Sequence, residues 1–189
     1  ANLLEDVSKT NIERIRFVTS HPWDFTDEMI DVISKCDNVM PYVHLPIQSG
    51  SNRILKLMGR RYTKEEYIAL YNKIRNKVKD VSITTDIIVG FPGETESDFE
   101  ETIDIVNTCK FDGAFTFIFS PRVGTPASKL PDNTTKEEKE SRLHKLNELV
   151  NKYSNLSNQA ILNKVVKCLV TSVSEKDNSK YMGYTENMK

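Results

Sequence analysis

The sequence predicts an α/β fold in which parallel strands curl into part of a barrel and a small β segment follows. Strands alternate with helices from residue 14 to residue 161, which favours parallel pairing with right-handed crossovers. Each predicted strand has one apolar face and one face of polar or small residues. Strands of open sheets that are buried on both faces are instead almost continuously apolar in sequence. After residue 163 two strands follow each other without a helix. We therefore expect a partial barrel in residues 1–163 and the start of a small β domain in residues 164–189.

The expected elements follow from side-chain periodicity. A period of two residues indicates a strand, and apolar residues three and four positions apart indicate a helix. Capping boxes or related patterns at Thr63, Thr95 and Thr135 mark three helix starts. In chain order, strands are predicted at 14–20, 42–48, 81–89, 114–120, 165–170 and 180–185, and helices at 26–36, from Ser51, and at 64–78, 96–109 and 136–161.

The predicted strands have two distinct faces. In the strand at 42–48, aliphatic residues alternate with polar residues and proline: Val43, Leu45 and Ile47 against Tyr42, His44, Pro46 and Gln48. In the strand at 114–120, aromatic residues alternate mostly with small ones: Phe115, Phe117 and Phe119 against Ala114, Thr116, Ile118 and Ser120. In a barrel, the outer face meets the helices and the inner face lines a site. A polar inner surface is therefore expected.

Asp86 is a carboxylate within an otherwise aliphatic strand, where an unpaired charge is costly to bury. It either pairs with Arg16 or His44 across the lumen, or it binds a ligand near the carboxyl ends of the strands. His44 also has two interpretations, as a core histidine with satisfied hydrogen bonds or as a catalytic base.

Two loops at the carboxyl ends of the strands contain glycine and proline. Gly90 and Gly93 permit a positive φ and a close approach of the backbone to a ligand. The stiff loop at 120–126 presents Arg122. Arg60 and Arg61 lie between two predicted helices, where a solvated surface pair is the simplest interpretation.

Composition bounds the class of protein. The 189 residues carry a net charge of −1, so bulk charge does not favour nucleic acid, although a local basic patch is compatible with it. No apolar run approaches the roughly 20 residues of a membrane span, and no signal peptide is recognised, so a cytoplasmic location is the default expectation. Cys36, Cys109 and Cys168 form no metal-cluster motif and are expected to be buried free thiols.

Four segments together resemble the radical S-adenosylmethionine (SAM) methylthiotransferases. They are residues 44–51, 57–63, 86–95 and 119–127, and residues 14–22 fit the same family. Four motifs in the right order are more specific than any single glycine turn. The last segment, from Val165 to Asn187, resembles the opening strands of the TRAM domain that follows the barrel in this family.

The resemblance implies a function in tRNA modification. The closest branch adds a methylthio group to C2 of N6-isopentenyladenosine at tRNA position 37, after a 5′-deoxyadenosyl radical abstracts hydrogen from that carbon. The implied cofactors are SAM and [4Fe–4S] clusters, which supply the chemistry while the protein supplies positioning. The implied partner is tRNA, and no membrane is involved.

The resemblance also suggests cofactor-binding residues. Gln48 and Ser49 are expected to contact the ribose or the amino-acid portion of SAM. Arg60 is expected to bind its carboxylate, which a guanidinium fork suits. Asp86 and the backbone of Val89 and Gly90 are expected at the adenosine half.

Two further residues are expected at the substrate. Arg122, with the TRAM-like segment, is expected to face tRNA phosphates, and His44 is a candidate substrate contact. The catalytic residues stay unassigned, and no metal ligand is expected in this chain.

The cluster motifs of the family do not occur in this sequence. The family binds one cluster through Cys-x-x-x-Cys-x-x-Cys after the first barrel strand and another through cysteines of an N-terminal domain. The chain is therefore expected to match the last four of six barrel strands, to be inactive by itself and to hold no cofactor. The strand at 14–20 would then have an open edge, from which self-association is expected.

Three alternatives remain open at this stage. A sister methylthiotransferase would act on threonylcarbamoyladenosine in tRNA or on an aspartate of ribosomal protein S12. A non-catalytic RNA-binding fragment is a different class of function. An unrelated aldolase-like barrel is a third, but no convincing Schiff-base lysine supports it.

Overall fold

The computed structural model describes residues 1–18 and 21–189, and its elements alternate as the periodicity predicts. The helices are α1 (Asn2–Ser8), α2 (Asp27–Lys35), α3 (Asn52–Leu57), α4 (Lys64–Lys77), α5 (Glu96–Cys109) and α6 (Lys136–Gln159). The strands are β1 (Tyr42–His44), β2 (Ser82–Val89), β3 (Gly113–Ile118), β4 (Cys168–Ser174) and β5 (Asp177–Thr185). Short 3-10 helices at Pro22–Asp24 and Pro126–Lys129, and α1 itself, were not predicted. Capping boxes at Thr63, Thr95 and Thr135 are confirmed.

A parallel sheet with strand order β1-β2-β3 organises the first part of the chain. The register pairs Val43 with Ile83, and Asp86 with Phe115. Strand β1 is shorter than the predicted 42–48, but the chain stays beside β2 as far as a further bridge between Gln48 and Ile87. Helices α2, α4, α5 and α6 contribute to the apolar core, and α6 packs against β3 and β2.

The predicted strand at 14–20 is wrong as a regular strand within the described residues. Only Ile15 pairs, in one parallel bridge with Val39, and Thr19 and Ser20 lie outside the described residues. The ladder stops because the N–H of Tyr42 donates to the carbonyl of Met40 (2.8 Å). In a continued parallel ladder, the N–H of Tyr42 and the carbonyl of Met40 would both bond to residue 17. Here they bond to each other within one tight turn.

The assignment of faces in β3 is also corrected by the structure. Phe115 and Phe117 are 58% and 51% exposed and lie on the same face as Asp86 and Ile88. The opposite face meets the helices, where Thr116 Oγ1 donates to Asn147 Oδ1 of α6 (2.5 Å). Aromatic character predicted burial, but register in a parallel sheet decides which face each side chain takes.

The last two strands form an antiparallel hairpin, β4–β5. Arg14 donates to the carbonyls of Tyr184 (3.0 Å) and Lys167 (3.2 Å), and Arg16 donates to that of Thr185 (3.1 Å). The hairpin is thereby attached to the segment that precedes β1. A domain division at residues 163 and 164 stays a prediction.

The three cysteines are free thiols in different surroundings. Cys109 is buried, Cys36 is partly buried and Cys168 is exposed. The prediction of burial is therefore wrong for Cys168, which lies in the hairpin rather than in a packed core. Burial raises the pKa of the Cys109 thiol to about 12.

Asp98 joins the start of α3 to the start of α5. Its carboxylate accepts hydrogen bonds from Ser51 Oγ (2.6 Å) and Thr95 N (2.8 Å), and Arg53 forms an ion pair with it. Burial opposes ionisation of Asp98, but hydrogen bonds from Arg53, Ser51 and Thr95 outweigh it. They hold the pKa of this carboxyl well below its usual range.

Asp98→Asn is expected to lower the free energy of unfolding at neutral pH by about 1–3 kcal/mol, because charged hydrogen bonds are lost at a buried position. The folded-state pKa lies below the unfolded value of 3.8. The stabilisation is therefore complete above about pH 5 and is lost as pH falls below about 4. Urea denaturation between pH 7 and pH 3 measures it, with Asp104→Asn on the exposed side of α5 as control. Parallel pH profiles of wild type and Asp98→Asn would contradict this account.

Candidate functional site

A cleft of about 500 Å³ opens at the carboxyl ends of β2 and β3. A second lobe of about 430 Å³ adjoins it and shares residues such as Gln48, Arg60 and Phe119. Ligand sites of α/β proteins commonly lie at this end of the strands. The first lobe is lined by Gln48, Arg60, Asp86, Ile88, Phe117, Ile118, Phe119, Ser120, Arg122, Thr125 and Ala127.

Gln48 lies between β1 and the cleft in an unusual backbone conformation. Its φ is 73°, in the left-handed region that a non-glycine residue rarely adopts. Its N–H donates to the carbonyl of Asp86 (2.8 Å), and its carbonyl accepts from the N–H of Ile88 (2.9 Å). Strained conformations of this kind cost about 1–3 kcal/mol and concentrate at ligand sites. Two backbone bonds to β2 hold Gln48 in place at the cleft.

Asp86 and His44 meet on the cleft face of the sheet. His44 Nε2 lies 3.2 Å from Asp86 Oδ2, and its Nδ1 lies 2.9 Å from Thr84 Oγ1. The ring also packs edge-on against Phe115, with centroids 5.9 Å apart. Of the two partners proposed for Asp86, His44 is confirmed, whereas Arg16 binds the hairpin. Asp86 nevertheless lines the cleft, so the pair leaves it available to a ligand.

Arg60 is one of two arginines that line the cleft, the other being Arg122. Arg60 follows α3, and it is a lining residue of both lobes. Its Nη1 lies 2.8 Å from His21 Nε2. The neighbouring Arg61 instead lies over the ring of Trp23, 4.6 Å from the centroid. The two arginines therefore have different partners. Arg61 is exposed, as expected for a solvated surface pair, whereas Arg60 is partly buried and lines the cleft.

Three of the candidate cofactor contacts lie away from the cleft lining. Ser49 is fully buried, with its Oγ 3.4 Å from Thr102 Oγ1 of α5. Val89 is fully buried on the helix-facing side of β2, as strand alternation requires. Gly90, with φ of 68°, donates its N–H to Glu94 Oε2 (2.7 Å). The structure thus does not bring these three together with Gln48, Arg60 and Asp86.

Arg122 lies at the outer edge of the cleft. It is exposed, and its carbonyl accepts from Thr125 N (3.1 Å) and Thr125 Oγ1 (2.8 Å). These two bonds stabilise the turn that carries the arginine beside Thr125 and Ala127 of the cleft wall. A cation in this position can meet a ligand that approaches from outside.

Sequence reasoning missed the apolar wall of the cleft. Ile88 shares the face of Asp86, two residues away along β2, so alternation alone could have identified it. Phe117 and Phe119 belong to a strand whose faces were assigned the wrong way round. Thr125 and Ala127 lie at the start of the 3-10 helix Pro126–Lys129, which is too short for periodicity to give a signal.

Glu94 links the turn after β2 to α6. It is buried, and its Oε2 accepts from Gly90 N (2.7 Å) and Arg142 Nη1 (3.0 Å). The same Arg142 nitrogen donates to the carbonyl of Glu94 (3.2 Å). Glu94 Oε1 is buried and has no hydrogen-bond partner among the residues that the structure describes. Burial raises the pKa of Glu94, although Gly90 and Arg142 favour its charged form.

The described residues offer no metal site. Within residues 1–18 and 21–189, no three side chains of histidine, cysteine, aspartate or glutamate come together in a way that could hold an ion. In the same residues, no helix combines the length and the apolar character needed to cross a membrane.

Sequence comparison relates the chain to named proteins. Residues 1–106 match the family described as the Radical SAM superfamily. The whole chain is 49% identical to the tRNA-2-methylthio-N(6)-dimethylallyladenosine synthase of Staphylococcus haemolyticus and 48% identical to that of Alkaliphilus oremlandii. The chain spans 37% and 40% of the lengths of these two relatives.

Solved structures share the fold. Coproporphyrinogen III oxidase (HemN) from Escherichia coli, a radical SAM enzyme, matches 74% of this chain and 32% of its own, with a TM-score of 0.62 and 19% identity. The radical SAM methyltransferase TsrM from Kitasatospora setae matches 67% of this chain and 26% of its own, with a TM-score of 0.55 and 18% identity. At such identities, the likeness shows the fold alone, which confirms the α/β fold of radical SAM type.

Proposed function

The chain belongs to the radical SAM superfamily, and from this premise we propose that its cleft binds SAM as part of a tRNA methylthiotransferase. The observation that carries the proposal is the convergence of Arg60, Asp86 and Gln48 on one cleft with an apolar wall. The proposed reaction is the methylthiolation of N6-isopentenyladenosine (dimethylallyladenosine) in tRNA, which would give the product named for the relatives at 49% and 48% identity.

The groups that line the cleft fit SAM. The guanidinium of Arg60 can bind the carboxylate through paired hydrogen bonds. Asp86 can accept hydrogen bonds from ribose hydroxyls or from the ammonium group, and Gln48 can add a neutral amide. Ile88 and Phe117 supply apolar surface for adenine. Ser49 and Val89 are buried, and a contact of SAM with Ser49 or with the backbone of Val89 and Gly90 stays a prediction.

A [4Fe–4S] cluster does not fit the residues described. The family chemistry is reductive cleavage of SAM at a cluster held by three cysteines, and the described residues contain no such group. Cys109 ends α5, Cys36 follows α2 and Cys168 begins β4. No step through the cluster is therefore derived from this chain, whose own contribution is binding and orientation.

The proposal extends to tRNA at the outer edge of the cleft. Arg122 is exposed there and can pair with a phosphate, and His44 lies deeper, beside Asp86, where a nucleobase could meet it. Residues 164–189 would add a TRAM-like surface for the same RNA. Self-association through a sheet edge stays a prediction, but the regular strand at 14–20 from which it was expected is not found in the described residues.

Removal of the guanidinium tests the cofactor site directly. Arg60→Met is expected to weaken the binding of S-adenosylhomocysteine to this chain about 10- to 100-fold, because a charged hydrogen bond contributes about 1.5–3 kcal/mol. Isothermal titration calorimetry measures the change. Arg61→Met, which removes the neighbouring arginine outside the cleft, is the matched control and should bind like wild type. Equal affinities of wild type and Arg60→Met would rule out this role.

A further inference from the structure

His21 is the direct partner of Arg60, which lines the cleft. Its Nε2 lies 2.8 Å from Arg60 Nη1. A guanidinium carries only hydrogen-bond donors, so this contact requires a lone pair on Nε2. The imidazole must therefore be neutral, with its proton on Nδ1. A protonated ring would place two donors against each other.

The His21 ring is itself held in place by the core. It packs against the ring of Tyr62, with centroids 5.6 Å apart and an interplanar angle of 65°. Tyr62 is buried, and its hydroxyl donates to the carbonyls of Pro46 (3.2 Å) and Ile47 (3.0 Å). These carbonyls belong to the two residues before Gln48. A continuous series of contacts thus connects the backbone before Gln48, through Tyr62 and His21, to the Arg60 guanidinium.

The charged groups around His21 favour its neutral form. Burial and the positive charge of Arg60 lower the pKa of His21, and Asp24 on the adjoining 3-10 helix raises it to a smaller extent. Arg61 and Gly59 border the same small groove from the end of α3. The net effect is an imidazole that stays uncharged at neutral pH and gains its proton only in acid.

We infer that His21 is a positioning residue, which as a neutral Nδ1-H imidazole aims the Arg60 guanidinium at the anionic group of the ligand. The inference rests on the proposed function for the identity of that ligand, a carboxylate of the SAM type. Protonation of His21 removes the acceptor, so the guanidinium is released from its orientation. Ligand affinity should therefore fall as pH drops through the pKa of His21.

The contact between His21 and Arg60 can be tested without any ligand. Nitrogen-15 NMR of the imidazole in the wild-type chain is expected to show the Nδ1-H tautomer and a pKa below the ordinary 6.5. In Arg60→Met, the pKa is expected to move up towards that value. An Nε2-H tautomer, or an unchanged titration in Arg60→Met, would overturn the inference whether or not SAM binds.

Ligand binding then tests the positioning role. His21→Phe keeps a ring against Tyr62 but removes the hydrogen-bond acceptor for Arg60. It is expected to lower the affinity for S-adenosylhomocysteine about 5- to 10-fold at pH 7, which corresponds to about 1–1.4 kcal/mol. His21→Gln offers an amide oxygen to Arg60 and is expected to bind S-adenosylhomocysteine within about twofold of wild type, without the loss of affinity that wild type shows in acid. His144→Phe, at an exposed position of α6, is the control. Wild-type affinity in His21→Phe would overturn the role.

The two proposals fail in distinguishable ways. If wild type does not bind S-adenosylhomocysteine but the NMR titration depends on Arg60, the SAM site is wrong in this chain and the His21–Arg60 contact is supported. If wild type binds and the two His21 variants behave alike, the SAM site stands and the positioning role is wrong. Thermal unfolding of each variant verifies that it is folded.

Discussion

Gly50→Ala is expected to destabilise the folded chain by about 3 kcal/mol, because there is no space for a methyl group at this position. An added Cβ would lie 2.6 Å from the Cα of Thr102, and closer still to the carbonyl oxygen of Glu101. Both atoms belong to the backbone of α5, so neither can rotate away. The N–H of Gly50 also donates to Thr102 Oγ1 (3.0 Å), which fixes the distance between the two segments.

Chemical denaturation of Gly50→Ala measures this cost, and Gly113→Ala is the matched control. At Gly113, a Cβ would lie 3.5 Å from Thr84 Cγ2, an ordinary van der Waals contact. That variant should be as stable as wild type or slightly more stable, since alanine suits a strand better than glycine does. A Gly50→Ala protein with the urea midpoint of wild type would show that α5 can move away from this turn.

Arg142→Met is expected to lower the free energy of unfolding by about 3–5 kcal/mol, because it leaves the buried Glu94 carboxylate without its counter-charge. The side chains of Arg142 and Glu94 are 10% and 0% exposed. Loss of the cation raises the pKa of Glu94 further, so the variant should recover stability as pH falls through that pKa. Urea titrations at several pH values measure both effects.

Two further variants test whether the destabilisation comes from the unpaired Glu94 carboxylate rather than from the loss of a positive charge on α6. Lys136→Met removes a positive charge from the same helix at a side chain that is 81% exposed, and it should change stability by less than about 0.5 kcal/mol. Glu94→Gln combined with Arg142→Met should be more stable than Arg142→Met alone, because no unpaired charge stays buried. If the double variant is less stable than Arg142→Met, the unpaired buried charge of Glu94 is not the cause of the destabilisation.

Strand alternation was sufficient to place part of the candidate site. His44 and Asp86 were each assigned to a polar face, and the parallel register brings them into contact. Gln48 follows from the same alternation, although its left-handed backbone does not. These residues could be predicted because a period of two fixes the direction of a side chain relative to the sheet.

Contacts between distant segments could not be read from periodicity. His21 and Arg60 meet across 39 positions of sequence, and Glu94 and Arg142 meet across 48. Neither pair belongs to a repeating pattern, since the first joins two loops and the second joins a loop to α6. The faces of β3 were assigned incorrectly because aromatic residues indicate burial only when a helix covers them.

The hairpin of the last two strands is bound to the rest of the chain by Arg14 and Arg16 through carbonyl oxygens. Every amino acid presents the same carbonyl group, so these three bonds impose no requirement on the side chains of the hairpin. Most exposed side chains of β4 and β5 can therefore be substituted while these three bonds are retained. Tyr184 is an exception, because the guanidinium of Arg16 lies 5.9 Å from the centroid of its ring.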